Sequence, residues 1–215
     1  MHRRKFIVGC GSAVALSFAG CLGTTGMDEH KSSPGSVASE ALTTTGYGDQ
    51  SLQSIDVERS MTVEGHTEEI LVVNHVTGYT KEVSGELQGG KFHVFTSPNV
   101  SVAGVGVNPL ESMDTAEILQ QALKGSQTIS DVEHDEDTAV IVLGEATKSS
   151  RYTATAVVEG VAVDVYVRVT EPVPTSNDDL LMTIAVYPQH ADVEDENALT
   201  LAENTLDTYE PSDNE

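Results

Sequence analysis

The sequence predicts an α+β fold, an antiparallel β-sheet of about six or seven strands packed by two or three helices. Three observations carry that expectation. Runs rich in Val, Ile, Thr and Tyr recur between Gly- and Pro-containing turns. Other stretches space their apolar residues every three or four positions. About 175 residues lie between Pro34 and Tyr209, enough for one domain that buries roughly 70% of its unfolded surface.

Taken in order, residues 36–45 place Val37, Ala38, Ala41 and Leu42 on one helix face, with Pro34 before them and Gly46 after, so a short amphipathic helix is expected. Residues 54–63 and 67–76 flank Glu64-Gly65-His66, which predicts a β-hairpin. Gly89-Gly90 marks the next turn, and 91–97 alternates Phe92, Val94 and Thr96 against His93 and Phe95 until Pro98 ends a third strand. Residues 112–124 put Met113, Ala116, Ile118, Leu119, Ala122 and Leu123 at helical spacing, with Asp114 and Glu117 near the start and Lys124-Gly125 at the close. An acidic loop over 131–137 precedes four strand-like runs at 138–147, 151–158, 161–170 and 180–187. Glu159-Gly160 supplies a hairpin turn, 172–179 a polar turn, and Pro188 a stop. Residues 197–209 read as a final docked helix behind Asp195 and Glu196. Val63-Glu64-Gly65 and Val158-Glu159-Gly160 repeat, each ahead of a strand ending in proline, but the match is too short to establish a duplication.

The start of the chain is an export address. Arg3-Arg4-Lys5-Phe6-Ile7 resembles the twin-arginine pattern, and the uncharged stretch to Gly20 is only weakly apolar, which suits passage of an already folded domain. Phe18-Ala19-Gly20-Cys21 resembles a lipobox, with Phe18 where Leu is common, and makes Cys21 the expected lipidation site. The expected organisation is a signal peptide over 1–20, a lipidated flexible tether over 21–33, a single domain over 34–209 and an acidic tail over 210–215. An uncleaved signal anchor is the competing reading, because no charge appears between Lys5 and Asp28; five glycines from Gly9 to Gly26 make that span poor. Cys10 and Cys21 are the chain's two cysteines, so the domain has no internal disulfide and its stability rests on its core.

Eleven Lys and Arg face 34 Asp and Glu. Loss of Arg3, Arg4 and Lys5 with the signal leaves eight basic residues and a net charge near −26. Such a surface repels phosphate backbones, which argues against nucleic-acid binding. It fits adaptation to very high salt, where the Debye length is about 3 Å at 1 M and self-repulsion is screened.

The twin-arginine and lipobox start, Thr45-Gly46-Tyr47, Val73-Asn74 with Tyr79, Phe95-Thr96-Ser97-Pro98 running into Val100-Ser101-Val102, Asn108-Pro109 before Met113-Asp114, and Val186-Tyr187-Pro188 together resemble an uncharacterised lipoprotein family of halophilic archaea, a domain of unknown function. The resemblance covers nearly the whole chain. It implies a location at the outer face of the cytoplasmic membrane and salt adaptation, and it supplies no catalytic residues. The element order is also similar to the PsbP-like fold, an analogy that carries no function.

Candidate chemistry is sparse. Asp131, Glu133, Asp135 and Asp137 alternate around His134 like calcium-loop carboxylates, but Glu136 and Val142 stand where that loop needs Gly and Glu, so a solvated acidic loop is expected. The histidines at 2, 30, 66, 75, 93, 134 and 190 form no ligand pair at helical spacing. No nucleophile elbow or Gly-rich phosphate loop is present, and no catalytic, cofactor or metal residue is assigned. Tyr47, Tyr79, Tyr152, Tyr166 and Tyr187 are candidates for lining a ligand pocket. Asn99-Val100-Ser101 is the one permissive glycosylation sequon. The leading expectation is a noncatalytic, lipid-anchored surface module that binds a partner protein or a small solute. A solute-binding lipoprotein and a carboxylate-dependent hydrolase are the alternatives. A deep apolar pocket favours solute binding, converging carboxylates an enzyme, and a flat apolar patch a protein partner.

Overall fold

The computed structural model describes residues 27–63, 66–83, 89–102, 105–106, 108, 110, 113–123 and 129–211. Arg3, Arg4 and Cys21, the closing Lys124-Gly125 of the second expected helix and the last four residues lie outside that set.

Seven long strands form one sheet in the order β3 (Gly48–Val63), β4 (His66–Lys81), β5 (Gly90–Pro98), β12 (Asp179–Pro188), β10 (Val161–Thr170), β9 (Glu145–Val158) and β8 (Ile129–Val142). Every neighbour on this path is antiparallel. Two further strands bring the sheet to nine: β1 (Met27–Lys31) lies parallel to β4 from Glu69 to Val73, and β11 (Val173–Pro174) pairs with the start of β12. The expected α+β class holds at that level, with a mixed sheet and three helices.

The hairpin turns follow from backbone sterics. Leu143-Gly144 and Glu159-Gly160 each have φ positive at both positions, the two-residue turn whose twist matches its flanking strands. Glu159-Gly160 was legible as a turn. Leu143-Gly144 lies inside the strand expected over 138–147, because leucine seldom takes positive φ and gave no sign of it.

The acidic segment 131–137 is a strand, not a loop. It forms part of β8, the outer edge of the sheet, and is bulged between Ser130 and Glu133 and between His134 and Glu136. Asp131, Glu133, Asp135 and Asp137 are exposed as expected, and a bulged, charged edge resists pairing with another chain.

Residues 27–33, expected to be part of a flexible tether, also differ. β1 fills the edge of β4 beyond the point where β5 diverges, and Ser32 is buried behind it. The packed structure therefore reaches back to Met27, ahead of Pro34.

Alternate strand residues face opposite sides. Helices α1 (Ser39–Thr45) and α3 (Asp192–Glu203) cover one face, helped by a small ladder of β2 (Ser36–Val37) and β13 (Thr205–Leu206). Residues 36–37 are therefore strand rather than helix; α1 ends at Gly46 in the left-handed region. The last helix runs 192–203, five residues earlier at its start than expected, because Asp192, Glu194 and Asp195 suit the positive end of the helix. Helix α2 (Thr115–Leu123) lies on the other face, while β6 (Ser101–Val102) and β7 (Val105–Gly106) make a small ladder of their own before it. Asp114 and Glu117 each accept the other's backbone N–H, at 2.9 and 3.1 Å, a reciprocal cap that fixes where α2 begins.

Candidate functional site

The two faces are not covered equally. Seven strands span roughly 30 Å. On the face of α1 and α3, Tyr79, Phe92, Val94, Leu181, Tyr187 and Leu201 pack into one core. Among the described residues α2 is the one helix on the other face, and a helix is about 10 Å wide. A polar chain fixes it toward the β8 side: Tyr152 OH lies 2.9 Å from Thr115 Oγ1, which donates to Ser150 Oγ at 2.8 Å, which donates to Asp137 Oδ1 at 2.6 Å. Toward β3 the sheet outruns the helix.

A pocket of about 500 Å³ opens there. The sheet supplies its floor, with Ile55 and Val57 from β3, Val72, Asn74 and Val76 from β4, His93, Phe95 and Ser97 from β5, and Met182 and Ile184 from β12. Pro98, Val100, Asn108, Leu110, Met113 and Ile118 close it from the side of α2. Alternation explains the floor: these positions are one face of four adjacent strands, in the register Ile55 with Asn74, Val76 with Phe95, and Phe95 with Met182.

None of the lining residues among those described is charged, although acids crowd the rest of the chain. Three of the four polar residues in the lining hold the walls. Asn74 Nδ2 donates to the Ile55 carbonyl at 3.1 Å. Asn108 Nδ2 donates to Ser97 Oγ and to the Pro98 carbonyl at 2.8 and 2.9 Å, and its Oδ1 accepts the Leu110 N–H at 3.0 Å. His93 is the fourth. Its Nδ1 is the one side-chain nitrogen or oxygen among the described residues that is sealed from solvent without a hydrogen-bond partner. Burial, with Lys91 adding to it, holds the imidazole below its ordinary pKa and therefore neutral.

The opposite face concentrates charge. Arg168, 3% exposed, donates to both oxygens of Asp195 at 2.8 and 3.1 Å and to Glu136 at 2.8 Å. Arg151 reaches Asp135, Glu136 and Asp195 at 2.7, 3.3 and 3.2 Å. Lys81 Nζ lies 2.6 Å from Glu194, which also accepts from Tyr47 OH at 3.0 Å. Burial opposes ionisation of Asp195, but hydrogen bonds from Tyr187 and Arg168 outweigh it and hold its carboxyl below the usual range. Three basic residues, Arg151, Arg168 and Lys81, thus pin the first turn of α3. These bonds engage Asp135, Glu136, Glu194 and Asp195, so the carboxylates that converge there among the described residues are paired.

Ser32, His75 and Asp179 are brought together where β1 ends. Ser32 Oγ lies 3.1 Å from His75 Nδ1 and also contacts the Thr96 carbonyl and hydroxyl at 3.0 and 3.1 Å, while Asp179 accepts the Ser33 N–H at 2.7 Å. A serine nucleophile has to meet its substrate, and Ser32 is 2% exposed. The cluster acts as a clasp that seals the entry of the chain onto the sheet.

None of the five tyrosines singled out by sequence lines the pocket. Tyr47, Tyr79 and Tyr187 are buried on the closed face, Tyr166 stacks on Arg151 at 4.5 Å, and Tyr152 anchors α2. Asn99 is half-buried in the turn after β5, between two pocket residues. No group of three or more metal-ligating side chains gathers among the described residues. His93 and its strand neighbours were not singled out; their only signal was the alternation of β5.

A family model described as a domain of unknown function (DUF6517) matches residues 34–205. No curated protein and no solved structure matches the chain.

Proposed function

The chain belongs to the family described as a domain of unknown function (DUF6517), and for it we propose the role of a noncatalytic binding protein that holds a small apolar molecule between α2 and the sheet. The observation that supports this is the uncharged pocket of about 500 Å³ in a chain whose surface is dominated by carboxylates. Its volume lies within the range of small-molecule sites. At about 30 Å³ per water-sized group, it takes a molecule of about fifteen heavy atoms.

Export and anchoring complete the proposal. The twin-arginine start through Arg3 and Arg4 directs a folded domain outward, a lipid on Cys21 holds it at the outer face of the cytoplasmic membrane, and the excess of acids suits high salt. We read the chain as one of the halophilic archaeal lipoproteins it resembles, with PsbP-like architecture as an analogy. No helix among the described residues is long and apolar enough to cross a membrane. Cys21→Ser releases the protein from membranes; retention at the wild-type level refutes the lipid anchor. Mass spectrometry of protein purified in high salt from its own membranes tests the binding role. A stoichiometric apolar molecule supports it, and an empty protein that also takes up no naphthalene-sized probe overturns it.

A further inference from the structure

Resting on that binding role, we propose that His93 is the polar anchor of the pocket, and that its ligand is an uncharged, largely apolar molecule bearing one oxygen acceptor such as a ketone or ether. An ionised group buried in this pocket would lack a charged partner, because the lining contains no Asp, Glu, Lys or Arg among the described residues. Burying an unpaired charge is strongly disfavoured, so the part of the ligand that enters is neutral. Asn74, Ser97 and Asn108 are already engaged in wall hydrogen bonds. Of the four polar side chains in the lining, His93 is the one among the described residues that makes no wall hydrogen bond, which leaves its ring to recognise a polar atom.

The geometry sets which polar atom it recognises. His93 pairs with Gly78 across β4 and β5, and a Cβ built on Gly78 would meet His93 Nδ1 and Cε1 at 3.0 and 3.2 Å. The absent side chain makes room for that edge of the ring. Nε2 is not among the atoms that approach Gly78 most closely, and unlike Nδ1 it is not sealed without a partner. A neutral imidazole has one N–H and one bare nitrogen. A sealed bare nitrogen is better tolerated than a sealed N–H, which assigns the proton to Nε2. His93 thus presents one hydrogen-bond donor in an apolar lining, and its complement is an acceptor oxygen at one end of an apolar body.

Two probes of equal size separate this from general greasiness: 2-acetylnaphthalene, which carries a carbonyl, and 2-isopropylnaphthalene, which replaces it with a methyl. Affinities are measured on the full chain in high salt, with the ring nitrogens of His93 followed by NMR. The ketone is expected to bind about tenfold more tightly, the worth of one hydrogen bond, and to shift the Nε2 resonance. In His93→Phe the two probes bind equally, and His93→Gln, which keeps an N–H donor, restores part of the preference. Equal affinities with unmoved ring resonances overturn the anchor while leaving the pocket reading intact. If neither probe binds, the binding role itself falls. Should the variants fail to fold, the native resonances alone decide.

Discussion

The face under α1 and α3 and the face under α2 are built by alternate residues of the same strands, yet one is closed and the other keeps a cavity. On β5, Phe92 and Val94 are sealed in the closed core while His93 and Phe95, one step along, line the pocket. Both faces draw on Val and Phe, but the closed core adds Tyr where the pocket lining has Ile and Met. The faces also differ in coverage, two helices against one among the described residues, and in the placing of charge. The closed face fixes α3 by ion pairs at its first turn, whereas α2 is fixed at one end of the sheet and leaves the other open.

The largest effect belongs to the closed face. Arg168→Ala removes the buried cation that Asp195 and Glu136 share and leaves them Arg151 alone, and the expected loss is about 3 kcal/mol in denaturant unfolding. Probe affinity in the protein that remains folded is expected to be unchanged. A loss below about 1 kcal/mol would mean that the network is surface decoration.

Truncations on the two faces sharpen the contrast. Leu201→Ala empties a filled core site and is expected to cost about 3 kcal/mol. Ile184→Ala on the pocket floor is expected to cost about 1 kcal/mol, because part of that side chain already faces empty space. Equal costs would show that the pocket is packed rather than open. Val76→Phe is expected to fill the void, leaving stability within about 1 kcal/mol and abolishing probe uptake.

The smallest effect is on pH. Burial lowers both histidines below the ordinary value of 6.5, with Lys31 adding to it at His75 on the closed face and Lys91 at His93 in the pocket. The unfolded chain then binds protons that the folded one refuses. Their contribution is complete above 6.5 and is lost as the pH falls through their depressed folded values. Melting temperature at constant salt is expected to fall from pH 7 toward pH 5, and His93→Phe to flatten part of that slope. A slope unchanged in both His93→Phe and His75→Phe would assign it to the carboxylates.

What the sequence disclosed was local. Gly46 after a helix, Glu159-Gly160 between two Val runs and the Asp114, Glu117 pair each carry their geometry in a few residues, and each stands where the sequence placed it. What it withheld depends on distant partners. The segment 131–137 read as a loop because the cations that hold its Asp135 and Glu136, Arg151 and Arg168, are on other strands. Residues 27–31 read as a tether because their pairing partner is some forty residues away. The pocket is assembled from four strands and the approach to α2, so nothing in any single stretch announced it, and His93 looked like any histidine in a strand.

The parallel pairing of β1 has a mechanical meaning. A pull on the N-terminal side of Met27 directed along the strand loads the backbone bonds between Met27–Lys31 and Glu69–Val73 together, in shear, instead of peeling them one at a time. Behind them, Ser32 is held by His75 and Thr96. The entry of the chain therefore behaves as a strain-relief joint: tension from that side is taken up at the β4 edge before it reaches the strands that form the pocket floor.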